Sequence, residues 1–185
     1  MKIFICSMMV CMCLVFSTSA FALTMSDVGG PDVLLYQTYY TPTTQEVEMT
    51  VFSDAFVQNQ IDVDMSDWHL RTYDFKQDGY DGWYQITDSP SGTDYWAFDF
   101  GNLQKEYFLI NTGAVKSPDG TKYNYFVFEN TGSLQYGVID LAMFGSTGIK
   151  LDKISHLTVP NPEPSTLLLL GAGIFGLALY RRKKY

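Results

Sequence analysis

Residues 106–129 read EYFLINTGAVKSPDGTKYNYFVFE. Two runs dense in aromatic and β-branched side chains flank Ser117-Pro118-Asp119-Gly120, and those four residues spell a turn. Proline presets φ at the first central position, aspartate tolerates the second, and glycine accepts the left-handed conformation that follows. The stretch predicts an antiparallel hairpin joining a strand near Phe108 to one near Phe126.

The same texture recurs on both sides. Residues 47–52, 68–75, 83–87, 95–100, 106–111, 123–129, 136–143 and 154–159 form short runs of this kind, bounded by Gly, Asp, Asn, Ser and Pro. Within 95–100, period-two alternation puts Trp96, Phe98 and Phe100 on one face and Tyr95, Ala97 and Asp99 on the other. No long amphipathic helix is expected beside these runs. Eight closely spaced strands without intervening helices predict an all-β fold over residues 23–158, an antiparallel β-sandwich of jelly-roll-like type. The spacing leaves the strand order open.

The two ends are of different composition. Met1-Lys2, the apolar run 3–16 and the small-residue segment Ser17-Thr18-Ser19-Ala20-Phe21-Ala22 have the layout of a signal peptide, residues 1–22. Ala20 and Ala22 supply the A-x-A site at which signal peptidase would cut. Cys6, Cys11 and Cys13 all fall inside it, so the exported chain is expected to carry no thiol for a disulfide, a metal or a cysteine nucleophile. Residues 23–158 hold 7 basic against 19 acidic side chains, a net charge of -12. Nucleic acid requires a basic footprint, so no nucleic-acid partner is expected.

Residues 159–185 read VPNPEPSTLLLLGAGIFGLALYRRKKY. Alternating Pro160, Pro162 and Pro164 fix their own φ and hold their predecessors extended, which predicts a stiff, exposed, polyproline-like rod that joins no sheet. Ser165 and Thr166 can cap the apolar helix that follows, with a membrane-spanning part at 166–180. At 1.5 Å per residue it reaches roughly 22 Å, against a hydrocarbon core of about 30 Å, and Tyr180 suits the interface. Arg181, Arg182, Lys183 and Lys184, in the basic tail 181–185, orient the helix with its tail in the cytoplasm and the β domain outside.

The order Val159-Pro160-Asn161-Pro162-Glu163-Pro164-Ser165-Thr166, short Gly-containing helix, basic cluster resembles the PEP-CTERM sorting signal of exported bacterial proteins. The resemblance covers residues 159–185. It implies recognition of the Pro-Glu-Pro region by a membrane-embedded exosortase, transient residence in the inner membrane, and transfer to the cell surface or extracellular polysaccharide matrix of a Gram-negative bacterium. Val159, Pro160, Pro162, Glu163, Pro164, Ser165 and Thr166 would then be substrate residues for another enzyme. GAVKSPDGTKYNYFVFEN, YGVIDLAMFG and ISHLTV also resemble, in hydrophobic pattern, small β-sandwich domains found ahead of such signals.

Between the ends, chemistry-bearing groups are sparse. Asp62, Asp64 and Asp67 form the densest carboxylate group, and an i, i+2 pair on an extended chain faces one way, as calcium ligands do. No EF-hand glycine or glutamate follows in register, so these residues read first as a solvated acidic strand edge, with calcium the alternative. Tyr80, Trp83 and Tyr84, near Asp74, Asp78 and Asp81, could stack on sugar rings while carboxylates accept hydroxyl protons. The alternative is that Trp83 and Tyr84 are neighbouring strand residues, one inside and one outside. His69 and His156 stand far apart, and no G-x-S-x-G elbow is present.

These readings lead to a non-enzymatic exported protein with a structural or adhesive role in a polysaccharide (biofilm) matrix. The alternative is a carbohydrate-binding module for that polysaccharide, calcium-assisted or not, and less readily a glycoside hydrolase, whose carboxylate pair only geometry would reveal.

Overall fold

The computed structural model describes residues 22–41, 43–75, 79, 81–144 and 148–162. The signal segment up to Phe21, Tyr80, Asp78, the sorting-signal residues from Glu163 onward and the basic tail lie outside the described residues.

Among the described residues two α-helices and eight strands follow one another as α1 (Met25–Val28), β1 (Val33–Thr38), α2 (Gln45–Asn59), β2 (Trp68–Asp74), β3 (Trp83–Gln85), β4 (Tyr95–Asp99), β5 (Tyr107–Lys116), β6 (Lys122–Glu129), β7 (Tyr136–Asp140) and β8 (Ile154–Pro162), with short 3-10 turns at Leu141–Met143 and Leu151–Lys153. Among the described residues every strand pairing is antiparallel. One sheet has the order β1-β6-β5-β8-β2 and the other β3-β4-β7.

The hairpin stands where its turn places it. Phe108 faces Phe128 and Ile110 faces Phe126 across β5 and β6. Gly120, at φ 86°, donates to the Ser117 carbonyl at 2.9 Å, and the Asp119 carboxylate accepts from the Thr121 amide at 2.9 Å. Aspartate and glycine thus each supply what the turn lacks: a local acceptor and a permissive backbone.

Apolar residues of both sheets meet in one core. Phe98 lies 4.9 Å from Tyr73, Phe100 lies 5.8 Å from Phe108, and Phe108 stacks on Phe128 at 5.1 Å. The far faces are covered too. On β4, Ala97 turns away from this core and packs with Val138, Ile86 and Val28, so the N-terminal segment closes the outside of the smaller sheet. On the larger sheet, Leu109, Tyr125 and Val127 lie beneath Val51, Phe52, Ala55 and Phe56 of α2. Burying one such phenylalanine is worth roughly 2–3 kcal/mol, which explains why a helix covers this face.

Two segments depart from what the sequence predicts. Residues 47–52 belong to α2 and not to a strand. The Thr44 hydroxyl accepts from the Val47 amide at 3.3 Å, Glu46 and Glu48 sit in the first turn, and apolar side chains return at 51, 52, 55 and 56. That is a helical period, masked locally by β-branched neighbours.

The proline segment departs as well. Pro160, Asn161 and Pro162 lie within β8 rather than on a free rod, paired with Leu70, His69 and Trp68. Pairing of β8 with β5 ends at Thr158, so from Val159 onward one edge of β8 has no strand beside it. Prolines at alternate positions direct their donor-less nitrogens to one side, and a strand with one open edge accommodates them. Beyond these points, β1 was not anticipated.

Candidate functional site

The end of β8 forms a candidate site among the described residues. Its last rungs rest on β2 through Arg71–Val159, Leu70–Pro160, His69–Asn161 and Trp68–Pro162. Trp68 is fixed in turn by α2, edge-on to Phe52 at 5.7 Å and to Phe56 at 5.6 Å. On the other side, Lys105 reaches in just ahead of β5 and its Nζ donates to the Pro160 carbonyl at 2.6 Å. Lys105 is only 6% exposed. Burial, and secondarily the Arg71 cation, lower its pKa from the usual lysine value. A cleft of about 360 Å³ opens here, with Val63, Trp68, Lys105, Tyr107 and Pro160 among its walls.

A second polar constellation sits at the opposite end of β8, under α2. Glu48 contacts His156 Nε2 at 2.6 Å through Oε1 and accepts from the Thr158 hydroxyl at 3.1 Å through Oε2. Tyr125, Asn111 and His156 are cross-strand neighbours in one row over β6, β5 and β8, and Asp74 of β2 continues it. Burial, followed by the Glu48 charge, pushes the Tyr125 hydroxyl up to about 12. Tyr125 Oη and Asn111 Nδ2 have no hydrogen-bond partner among the described residues. The helix covers this cluster, so its visible work is to seat α2 on the sheet.

The candidates read from the sequence fall as follows. Asp62, Asp64 and Asp67 are all exposed. Asp64 accepts from the Ser66 amide at 2.9 Å, and that bond, with the Ser66 hydroxyl, lowers its pKa. Among the described residues no three His, Cys, Asp or Glu side chains are placed to hold a metal ion, so these aspartates are not gathered into a calcium cage. Trp83 is 7% exposed and packs against Phe75 and Phe98, whereas Tyr84 is 46% exposed. Trp83 therefore offers no face to a sugar, and the pair divides between core and solvent. His69 and His156 lie towards opposite ends of the β2–β8 ladder, opposite Asn161 and Asp74.

Lys105, Trp68 and Glu48 were not singled out from the sequence. Glu48 and His156 are separated by 108 positions and Lys105 and Pro160 by 55. No local pattern announces either pair.

By architecture this is an antiparallel β domain of two sheets whose final strand leads directly into the chain's C-terminal segment. A family comparison matches residues 162–183 to the PEP-CTERM protein-sorting motif. The chain carries this motif, which implies an exported, membrane-associated protein processed by an exosortase. Searches of curated proteins and of solved structures returned no match. Among the described residues no helix is long and apolar enough to cross a membrane.

Proposed function

We propose that this chain is a non-enzymatic exported protein, delivered by exosortase processing to the cell surface or the extracellular polysaccharide matrix, where its β domain acts as a structural or adhesive component. The observation that carries the reading is the PEP-CTERM motif at 162–183, joined without a spacer to the last strand of the folded domain. We take the two sheets, which share the Phe98–Phe108–Phe128 core, as a β-sandwich, jelly-roll-like in its eight antiparallel strands.

An acidic, cysteine-free domain suits this role. A net charge of -12 over residues 23–158 keeps the exported domain soluble and off anionic surfaces. Its candidate catalytic groups are also dispersed: His156 is engaged by Glu48, and His69 stands opposite Asn161. A carbohydrate-binding role would have to use exposed aromatics such as Tyr84 and Tyr39.

The test is to express the full chain in a host with and without an exosortase and to fractionate the cells. The reading expects a smaller, released or surface-bound species only where the enzyme is present. An identical distribution in both hosts would overturn it.

A further inference from the structure

Pro162 is both the last rung of the β2–β8 ladder and the first residue matched to the sorting motif. The fold and the signal therefore overlap by one residue, and the ladder around that residue is braced on both sides.

Backbone groups alternate along a strand, so Pro160 and Pro162 face one edge of β8 while Val159 and Asn161 face the other. The Pro160 carbonyl meets Lys105, which identifies the proline edge as the one away from β2. Asn161, opposite His69, then turns its N–H and C=O towards β2. Enzymes that take a peptide as an extended strand grasp it through main-chain hydrogen bonds. Here the Asn161 groups already serve β2, the prolines have no N–H to give, and the Pro160 carbonyl is held by a buried ammonium. Residues 160–162 have almost nothing left to offer a strand-binding partner while the ladder is closed.

We propose that this end of the ladder is a latch: the Trp68–Leu70 segment of β2, with Lys105, holds residues 160–162 against the domain, and exosortase engages the motif in the fraction of molecules whose last rungs have opened. The latch couples sorting to the folded domain and rests on the sorting reading above. Terminal rungs open locally without global unfolding. Lys105 and Trp68 are positioning residues in this scheme, acting through β8, with no contact to the processing chemistry itself.

The experiment follows processing of the full chain by pulse-chase in an exosortase-bearing host. Lys105→Met removes the ammonium and keeps a side chain of similar length. It is expected to speed processing about tenfold, the order expected when a hydrogen bond to a charged group is lost. Since this variant could also loosen the domain, a second one closes the latch instead: His69→Cys with Asn161→Cys joins the rung covalently, in a chain whose other cysteines all lie in residues 1–22. The oxidised pair is expected to slow processing by about tenfold or more, and a membrane-permeant reductant should restore the rate. If the oxidised pair is processed at the wild-type rate, the latch is wrong although sorting stands. If the wild-type chain itself shows no exosortase-dependent product, the sorting reading fails first.

Discussion

Glu48 in the first turn of α2 contacts the His156 imidazole of β8 at 2.6 Å and takes the Thr158 hydroxyl on its other oxygen. One buried carboxylate thus ties the N-terminal end of the helix to the strand that continues into the sorting motif. At the other end of α2 the Asn59 amide donates to the Leu35 carbonyl of β1 at 3.0 Å, so polar contacts at both ends fix how the helix sits on the sheet.

Removing that carboxylate should be costly. Glu48→Ala leaves His156 and Thr158 facing a buried gap, an expected loss of about 2–4 kcal/mol, while Glu48→Gln keeps one acceptor and should lose about half as much. Denaturant unfolding of the exported domain checks this: the midpoint should fall in that order, with little change in slope.

Gly29 and Gly132 pack backbone against backbone. A Cβ on Gly29 would lie 2.5 Å from the Ser133 nitrogen, and Gly29 also adopts φ +84°. A Cβ on Gly132 would lie 2.9 Å from the Gly29 carbonyl carbon. The Ser133 amide donates to the Val28 carbonyl at 3.0 Å across the same contact. Gly29→Ala is expected to lower stability by about 2–4 kcal/mol and Gly132→Ala by about 1–3, read as a fall in Tm for each.

Asp32 should make stability depend on pH. Burial pushes its carboxyl up to about 7, against backbone N–H groups of Val138, Thr131 and Gly132 that hold it down. The folded state therefore keeps this proton where the unfolded chain, at about 3.9, has released it. Stabilisation from this group is complete below pH 4, declines as pH rises from about 4 to 7, and is gone above that range. The gap between about 3.9 and about 7 sets the expected decline at about 4 kcal/mol. Asp32→Asn should flatten the curve over that interval, measured by unfolding at a series of pH values.

Legibility in the sequence followed the distance between partners. Gly120 and Pro118 announced the β5–β6 hairpin because a turn is decided within four residues. Trp96, Phe98 and Ala97 announced β4 because alternation is local as well, and both of its faces proved buried. Val47–Phe52 misled, because Val47, Val51 and Phe52 suit a strand as single residues and reveal a helix only when Ala55 and Phe56 are counted with them. Pro160 and Pro162 misled for another reason: whether a strand tolerates proline depends on which edge is occupied, and that is set by where β5 ends. The Lys105 clamp and the Glu48 pair are products of the fold alone.

Sorting of this chain rests most directly on the Pro-Glu-Pro region. Glu163→Ala with Pro164→Ala alters the motif but leaves the described ladder, which ends at Pro162, intact. In an exosortase-bearing host, fractionation should find this variant held in the inner membrane as the unprocessed precursor, while the wild-type chain is processed and leaves. Wild-type processing and distribution for the variant would contradict the account.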